Sequence, residues 1–247
     1  MSKKKSQLVI QKISKEQAQG HETRGDLFSR IEKIINRPVV TFFTSFRFPV
    51  MIEDSDAAML EGILQKIDIS KGFALVVSSP GGDGLAAERI INICRSYSGT
   101  GDYWAIVPAK AKSAATMICF GSNKILLGTT SELRPVDPQV AVQEGETVQR
   151  FSACNIVGSY RDLFDRAVKE KGNLQPYLQQ LNNYDEREIK EFQTAIELSE
   201  DIAVRALKTG MLGGMADAEI KKKIEMFLTP KKKKAHGQGA WSTHLSG

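Results

Sequence analysis

A chain of 247 residues with 41% hydrophobic and 26% charged content has room for one large α/β domain, or one domain with an appendage, and the balance of a soluble globular protein. The formal net charge of +5 gathers near the ends, at Lys3 to Lys5, Lys221 to Lys223 and Lys231 to Lys234, while the middle is nearly balanced. That distribution describes solvated basic ends, not a nucleic-acid groove.

In chain order, residues 1 to 25 are polar, and no apolar signal core follows the basic start. An amphipathic helix is predicted next, with Phe28, Ile31, Ile34 and Ile35 on its inner face and Pro38 ending it. Val39 to Phe43 is β-branched and aromatic and predicts a strand. The apolar stretch Val39 to Ile52 is interrupted by Arg47 and is shorter than the ~20 residues of a membrane helix. Asp54 to Lys66 predicts a helix capped by Asp54 or Ser55, with Met59, Ile63 and Ile67 turned inward.

Phe73 to Val77 is a wholly apolar run of the kind buried on both faces of a parallel sheet. It ends at Ser78-Ser79-Pro80-Gly81-Gly82-Asp83, a turn whose Asp83 can cap the next helix, which buries Ala86, Ile90, Ile93, Cys94 and Tyr97. Tyr103 to Val107 predicts a second buried strand, completing a right-handed crossover. Ser113 opens a short helix running to Phe120, and Lys124 to Leu127 is a further strand. Beyond Pro138 helices dominate, over Val157 to Lys169 and over Asp185 to Leu207, where Ile189, Phe192, Ile196, Ile202, Ala206 and Leu207 face inward. The expected organisation is a polar segment 1–25, an α/β core 26–145, a helical region 146–228 on the core or at a subunit contact, and a basic tail 229–247. The chain stops soon after a Lys- and Gly-rich stretch, and a truncated C-terminus is one expectation from that ending. Cys94, Cys119 and Cys154 lack metal-ligand spacing and lie among apolar neighbours, as expected of reduced, buried thiols in a cytoplasmic protein.

Two elements carry chemistry. Gly81-Gly82 directly follows a buried strand, where glycines let the backbone approach a substrate and aim amides at a developing oxyanion. Ser113 stands at a helix start among small neighbours, and the Ala114 amide is a further donor. Both lie at the C-terminal ends of adjacent strands, where open α/β sheets place their sites. A plainer account remains open: Ser113 as a helix cap and Gly81-Gly82 as a turn.

The ordered blocks Ser79-Pro80-Gly81-Gly82-Asp83, Val107-Pro108, Lys112-Ser113-Ala114-Ala115-Thr116-Met117-Ile118 and Ser131-Glu132-Leu133-Arg134-Pro135-Val136-Asp137-Pro138-Gln139 resemble the serine dehydrogenase proteinase family, relatives of signal peptide peptidase and the Clp proteases. Leu207 to Met211 and Lys234-Ala235-His236-Gly237 resemble its later blocks. The resemblance implies an α/β Clp/crotonase-type superhelix of β-β-α units with added C-terminal helices, homo-oligomeric assembly and Ser113 as nucleophile.

The general base is not assigned by the residues. Where Clp proteases carry a histidine, this chain reads Pro135 to Gln139, and from Glu144 to Arg166 it has no lysine such as signal peptide peptidases use. Lys112, read as a helical neighbour of Ser113, would point away from it. His236 has a suitable pKa but stands in a Lys- and Gly-rich tail. Asp137 could orient a base, or merely shape a turn before Pro138. Lys169 and Lys171 are helix-end lysines of the usually solvated kind.

The acids Asp83, Glu132 and Asp137 form no metal-ligand pattern, and no Walker loop or dinucleotide fingerprint is present, so neither metal nor cofactor is expected. The leading expectation is a serine peptidase acting on a peptide or protein substrate, with any ATP-driven unfolding left to a separate partner. The rivals are a crotonase-like enzyme binding an acyl thioester and a non-catalytic oligomeric scaffold. Neither a membrane nor nucleic acid is an expected partner.

Overall fold

The computed structural model describes residues 21–47, 50–144 and 147–228. Its centre is a four-stranded, wholly parallel sheet in the order β1-β2-β3-β5, formed by β1 (Val39–Phe43), β2 (Phe73–Ser78), β3 (Tyr103–Val107) and β5 (Lys124–Leu127). Phe73 through Val77 of β2 are buried, as a strand covered on both faces requires.

After its main strand the chain turns through a short second stretch of β-pairing before entering a helix. β1 leads to Ile52 and α2 (Asp54–Leu64), with α1 (His21–Ile35) preceding it. β2 leads through Ser79 and Gly82 to α3 (Gly84–Tyr97), and β3 through β4 (Lys110–Ala111) to α4 (Ala114–Phe120). β5 is followed by β6 (Glu132–Leu133). These second stretches pair with one another in parallel, Ile52 with Gly82, Ser79 with Ala111, and β4 with β6. The repeating unit is therefore strand–strand–helix, the superhelical arrangement expected from the sequence.

Two faces differ from expectation. On α2 the core residues are Ala57, Leu60 and Leu64, while Met59 and Ile63, and Ile67 just past its end, are exposed. The helix is apolar at i, i+3, i+7 and again at i, i+4, i+8, and the first set carries the close-packing Ala57. Its N-cap is Glu53, whose amide donates to the Asp56 carboxylate at 2.9 Å, one residue ahead of the expected cap. On α1, Ile34 is 82% exposed and not on the inner face. The helix ends at Ile35 because Asn36 adopts a left-handed φ of 54°.

After β6 comes a separate two-stranded antiparallel ribbon, β7 (Gln139–Glu144) with β8 (Thr147–Ser152). The expected division between residues 145 and 146 falls between these two paired strands. Next come α5 (Ala153–Lys169), α6 (Gln175–Leu181), α7 (Glu186–Thr209), α8 (Asp217–Lys223) and α9 (Glu225–Leu228). Ser152 caps α5 by accepting from the Asn155 amide at 3.0 Å. Ile202, Ala203, Ala206 and Leu207 of α7, with Ile220, Ile224, Phe227 and Leu228, join the same hydrophobic core as β2 and α4. The C-terminal helices thus cover the α/β core and share its interior.

Candidate active site

The site begins with the turn after β2. Gly81 holds a φ of 99°, a conformation that side chains rarely adopt, and a Cβ there would meet the Lys112 carbonyl at 2.5 Å and the Ser113 Cβ at 2.9 Å. A Cβ on Gly82 would lie 2.3 Å from the Ile52 backbone. Glycine is required twice because two other chain segments press against this turn. The turn is held by Ser79, whose buried hydroxyl accepts from Thr44 Oγ1 at 2.6 Å and from the Gly81 amide at 3.1 Å.

The second component is the link from β4 into α4. Lys112 donates its amide to the Ser79 carbonyl at 3.1 Å, which fastens this link to the glycine turn. Thr116 Oγ1 bonds the Ala111 and Arg134 carbonyls at 3.0 and 2.8 Å, and the Ser113 amide reaches the Pro135 carbonyl at 3.3 Å. Between these fixings Ser113 is forced to φ 49°, ψ −120°. A non-glycine residue in such a region carries strain of about 1–3 kcal/mol. Ser113 occupies the N-cap position of α4, yet its side chain makes no capping hydrogen bond. Capping therefore does not account for a serine here.

Gly81, Gly82 and Ser113 line one cleft of ≈ 390 Å³ together with Pro138 and Gln139. The Gly82 and Ala114 amides have no hydrogen-bond acceptor among the described residues. Phe46, Val50 and Met51 from the β1–α2 connection, Met117 from α4, Arg150 from β8 and Ser199 from α7 complete much of the wall. Sequence reasoning missed these. Phe46 and Met51 sit in a connection without a motif, and Arg150 belongs to the unforeseen ribbon.

The remaining candidates scatter. Asp137 is not in the cleft lining, but its neighbours Pro138 and Gln139 are. Its Oδ2 accepts from Gln139 Nε2 at 3.2 Å, while its Oδ1 is buried and has no partner among the described residues. Asp83 caps α3, accepting from the Leu85 amide at 2.8 Å. Glu132 pairs with Arg134 at 2.8 Å, and that hydrogen bond holds its carboxyl below the usual range. Lys169 and Lys171 are exposed and line no part of the cleft. Lys112 precedes α4 instead of lying within it, so the helical argument does not apply; its ammonium sits 5.7 Å from the centre of the Phe46 ring. His236 lies outside the described residues, and among the described lining there is no His, Lys, Asp or Glu.

Residues 5–157 match the family described as ClpP-like SDH-type serine proteinase. The chain belongs to this family. A protein of Methanocaldococcus jannaschii, named as uncharacterized, is 31% identical over 138 residues, which cover 55% of this chain and 38% of that relative. The chain thus spans well under half of that relative's length. The ClpP-like match takes in the glycine turn, Ser113 and Asp137 and ends early in α5, so α6 to α9 lie beyond it.

The cysteines divide by burial. Cys94 and Cys119 are buried free thiols, and burial pushes both thiols up, Cys119 to about 12. Cys154 is only half-buried, contrary to the expectation for all three.

Proposed function

We propose that this chain is a serine peptidase in which Ser113 attacks a peptide carbonyl. The observation that supports it most is the backbone of Ser113, strained at a strand-to-helix turn with no capping bond to explain the serine. Strain of this kind persists where surrounding structure imposes it, and it gathers at active sites. The amides of Gly82 and Ala114 have no acceptor among the described residues and serve as the oxyanion donors, with Gly81 supplying the close approach.

In the reaction the Ser113 Oγ forms a bond to the carbonyl carbon while its proton passes to a base. The carbonyl electron pair moves to the oxygen and is held by the two amides. Collapse breaks the C–N bond, the base returns the proton to the leaving amine, and water then hydrolyses the acyl-enzyme by the same route.

The base in this reading is His236, oriented by Asp137. The buried Oδ1 of Asp137 lacks a donor among the described residues, which an imidazole N–H would supply. Val136 donates its amide to the Phe227 carbonyl at 2.9 Å, so the chain leaves the described residues beside Asp137. His236 follows Leu228 by eight residues, a span of up to about 26–29 Å when extended. The peptide substrate, the homo-oligomer and a separate ATP-dependent partner belong to the same proposal.

The test is labelling of the full chain with a fluorophosphonate probe. Wild type is expected to label, with a rate rising through about pH 6.5 as a histidine base loses its proton. Ser113→Ala should abolish labelling, and His236→Ala or Asp137→Asn should slow it by about 10²-fold or more. A folded wild type that never labels would sink the peptidase reading. It would favour a scaffold.

A further inference from the structure

A second groove, of ≈ 370 Å³, lies between α5 and α7. Cys154, Val157, Gly158 and Arg161 form one wall, at spacings of three, four and seven residues along one face of α5. Gln193, Ile196, Glu197 and Glu200 repeat that spacing on α7, and Leu228 closes one side. Gly158 brings no side chain into the groove. The floor is apolar at Val157, Gly158, Ile196 and Leu228, and the rim carries the Glu197 and Glu200 carboxylates against the Arg161 guanidinium, with Lys221 Nζ 3.8 Å from Glu200.

The chain itself points to the occupant. Leu228 is both a groove residue and the last described one, and Lys231 to Lys234 follow it after two residues. Lysine stems lie along apolar surface while the ammonium groups reach outward, which suits an apolar floor under an acidic rim. The groove also abuts the peptidase site. Ala153, next to Cys154, donates its amide to the Pro138 carbonyl at 2.9 Å, and Phe227 accepts from Val136. Asp137 lies between these two contact points.

We infer that Lys231 to Lys234 seat in the α5–α7 groove of their own subunit, with ammonium groups on Glu197 and Glu200. This anchor rests on the peptidase reading for its purpose: it leaves only Ala235 between the seated run and His236. A histidine on so short a free tether meets Asp137 at a higher effective concentration than one on the whole tail.

The direct test is zero-length carbodiimide cross-linking of the full chain, mapped by mass spectrometry. The Lys208–Asp217 pair, at 2.6 Å, serves as an internal control. Links from Lys231 to Lys234 onto Glu197 or Glu200 are expected, weakened at 0.5 M salt as exposed ion pairs are. A mixture of heavy- and light-isotope protein should give links within one chain only. Control links without tail links would overturn the inference, and so would tail links found only between heavy and light chains, which would put the tail on a neighbouring copy. The functional arm is charge exchange. Glu197→Lys with Glu200→Lys should slow fluorophosphonate labelling about fivefold, the scale of two exposed pairs, and Lys231→Glu through Lys234→Glu in that background should restore it. Slowing without restoration would overturn the anchor as a positioning device. A wild type that cross-links as expected but never labels would instead defeat the peptidase reading and leave the docked tail standing.

Discussion

The strain at Ser113 has a consequence that separates it from an ordinary helix start. Glycine tolerates positive φ, whereas alanine keeps the strain that serine carries. Ser113→Gly should therefore be more stable than wild type by about 1 kcal/mol in urea unfolding, although it cannot label. At an unstrained N-cap the same change costs about a few tenths of a kcal/mol instead, and that result would remove the argument from backbone geometry. Gly81 gives the complementary case. Its φ of 99° and the Lys112 carbonyl 2.5 Å from a Cβ leave alanine no relaxed position, because the opposing atom is backbone. Gly81→Ala is expected to cost about 2 kcal/mol or more and to displace Ser113, so labelling falls with stability.

At the scale of elements, the pattern of apolar residues places a helix more readily than it orients it. The run from Asp54 offers Met59, Ile63 and Ile67 as plausibly as Ala57, Leu60 and Leu64, and only packing against the neighbouring helix and sheet decides. The decision is testable by thermal unfolding: Leu60→Ala should cost about 2–5 kcal/mol, whereas Met59→Ala should stay within about 0.5 kcal/mol. The reverse order would restore the face expected from sequence. The strand–turn–helix passage around Gly81 and Asp83 was legible because a buried run, a glycine pair and a capping acid agree with one another. The β7–β8 ribbon was missed despite a readable signal, two β-prone runs separated by the two residues Gly145-Glu146. Its strands mix polar and apolar residues without strict alternation, since the ribbon pairs only with itself and is not buried on both faces. The strain at Ser113 and the orphan oxygen of Asp137 had no sequence signal, because both arise from carbonyls and side chains brought in from distant segments.

Across the whole molecule, the α/β layers and C-terminal helices enclose one interior, and no helix among the described residues is long and apolar enough to cross a membrane. That shared interior holds three acids of unusual weakness. Burial raises the Cys94 and Cys119 thiols, and it raises the Tyr103 phenol well above its ordinary value. Tyr103 also donates its hydroxyl to the Ile118 carbonyl at 2.7 Å, a bond that the phenolate could not make. Each group is held neutral in the folded state and ionises more easily in the unfolded chain. Their contribution is therefore complete below the unfolded pKa values, about 8.5–9 for the thiols and 10 for the phenol, and is lost as pH rises toward the folded ones. Between pH 9 and 10 the thiols dominate, each lowering stability by up to about 1.4 kcal/mol per pH unit, and the phenol only begins to contribute. Urea unfolding under reducing conditions should show this fall, and Cys94→Ala with Cys119→Ala should flatten it over that interval. The double variant should also be less stable at pH 7, since two buried sulfurs are lost from the core. An equal decline in wild type and double variant would mean that the alkaline weakness lies elsewhere, and that the thiols are not sealed in the folded interior.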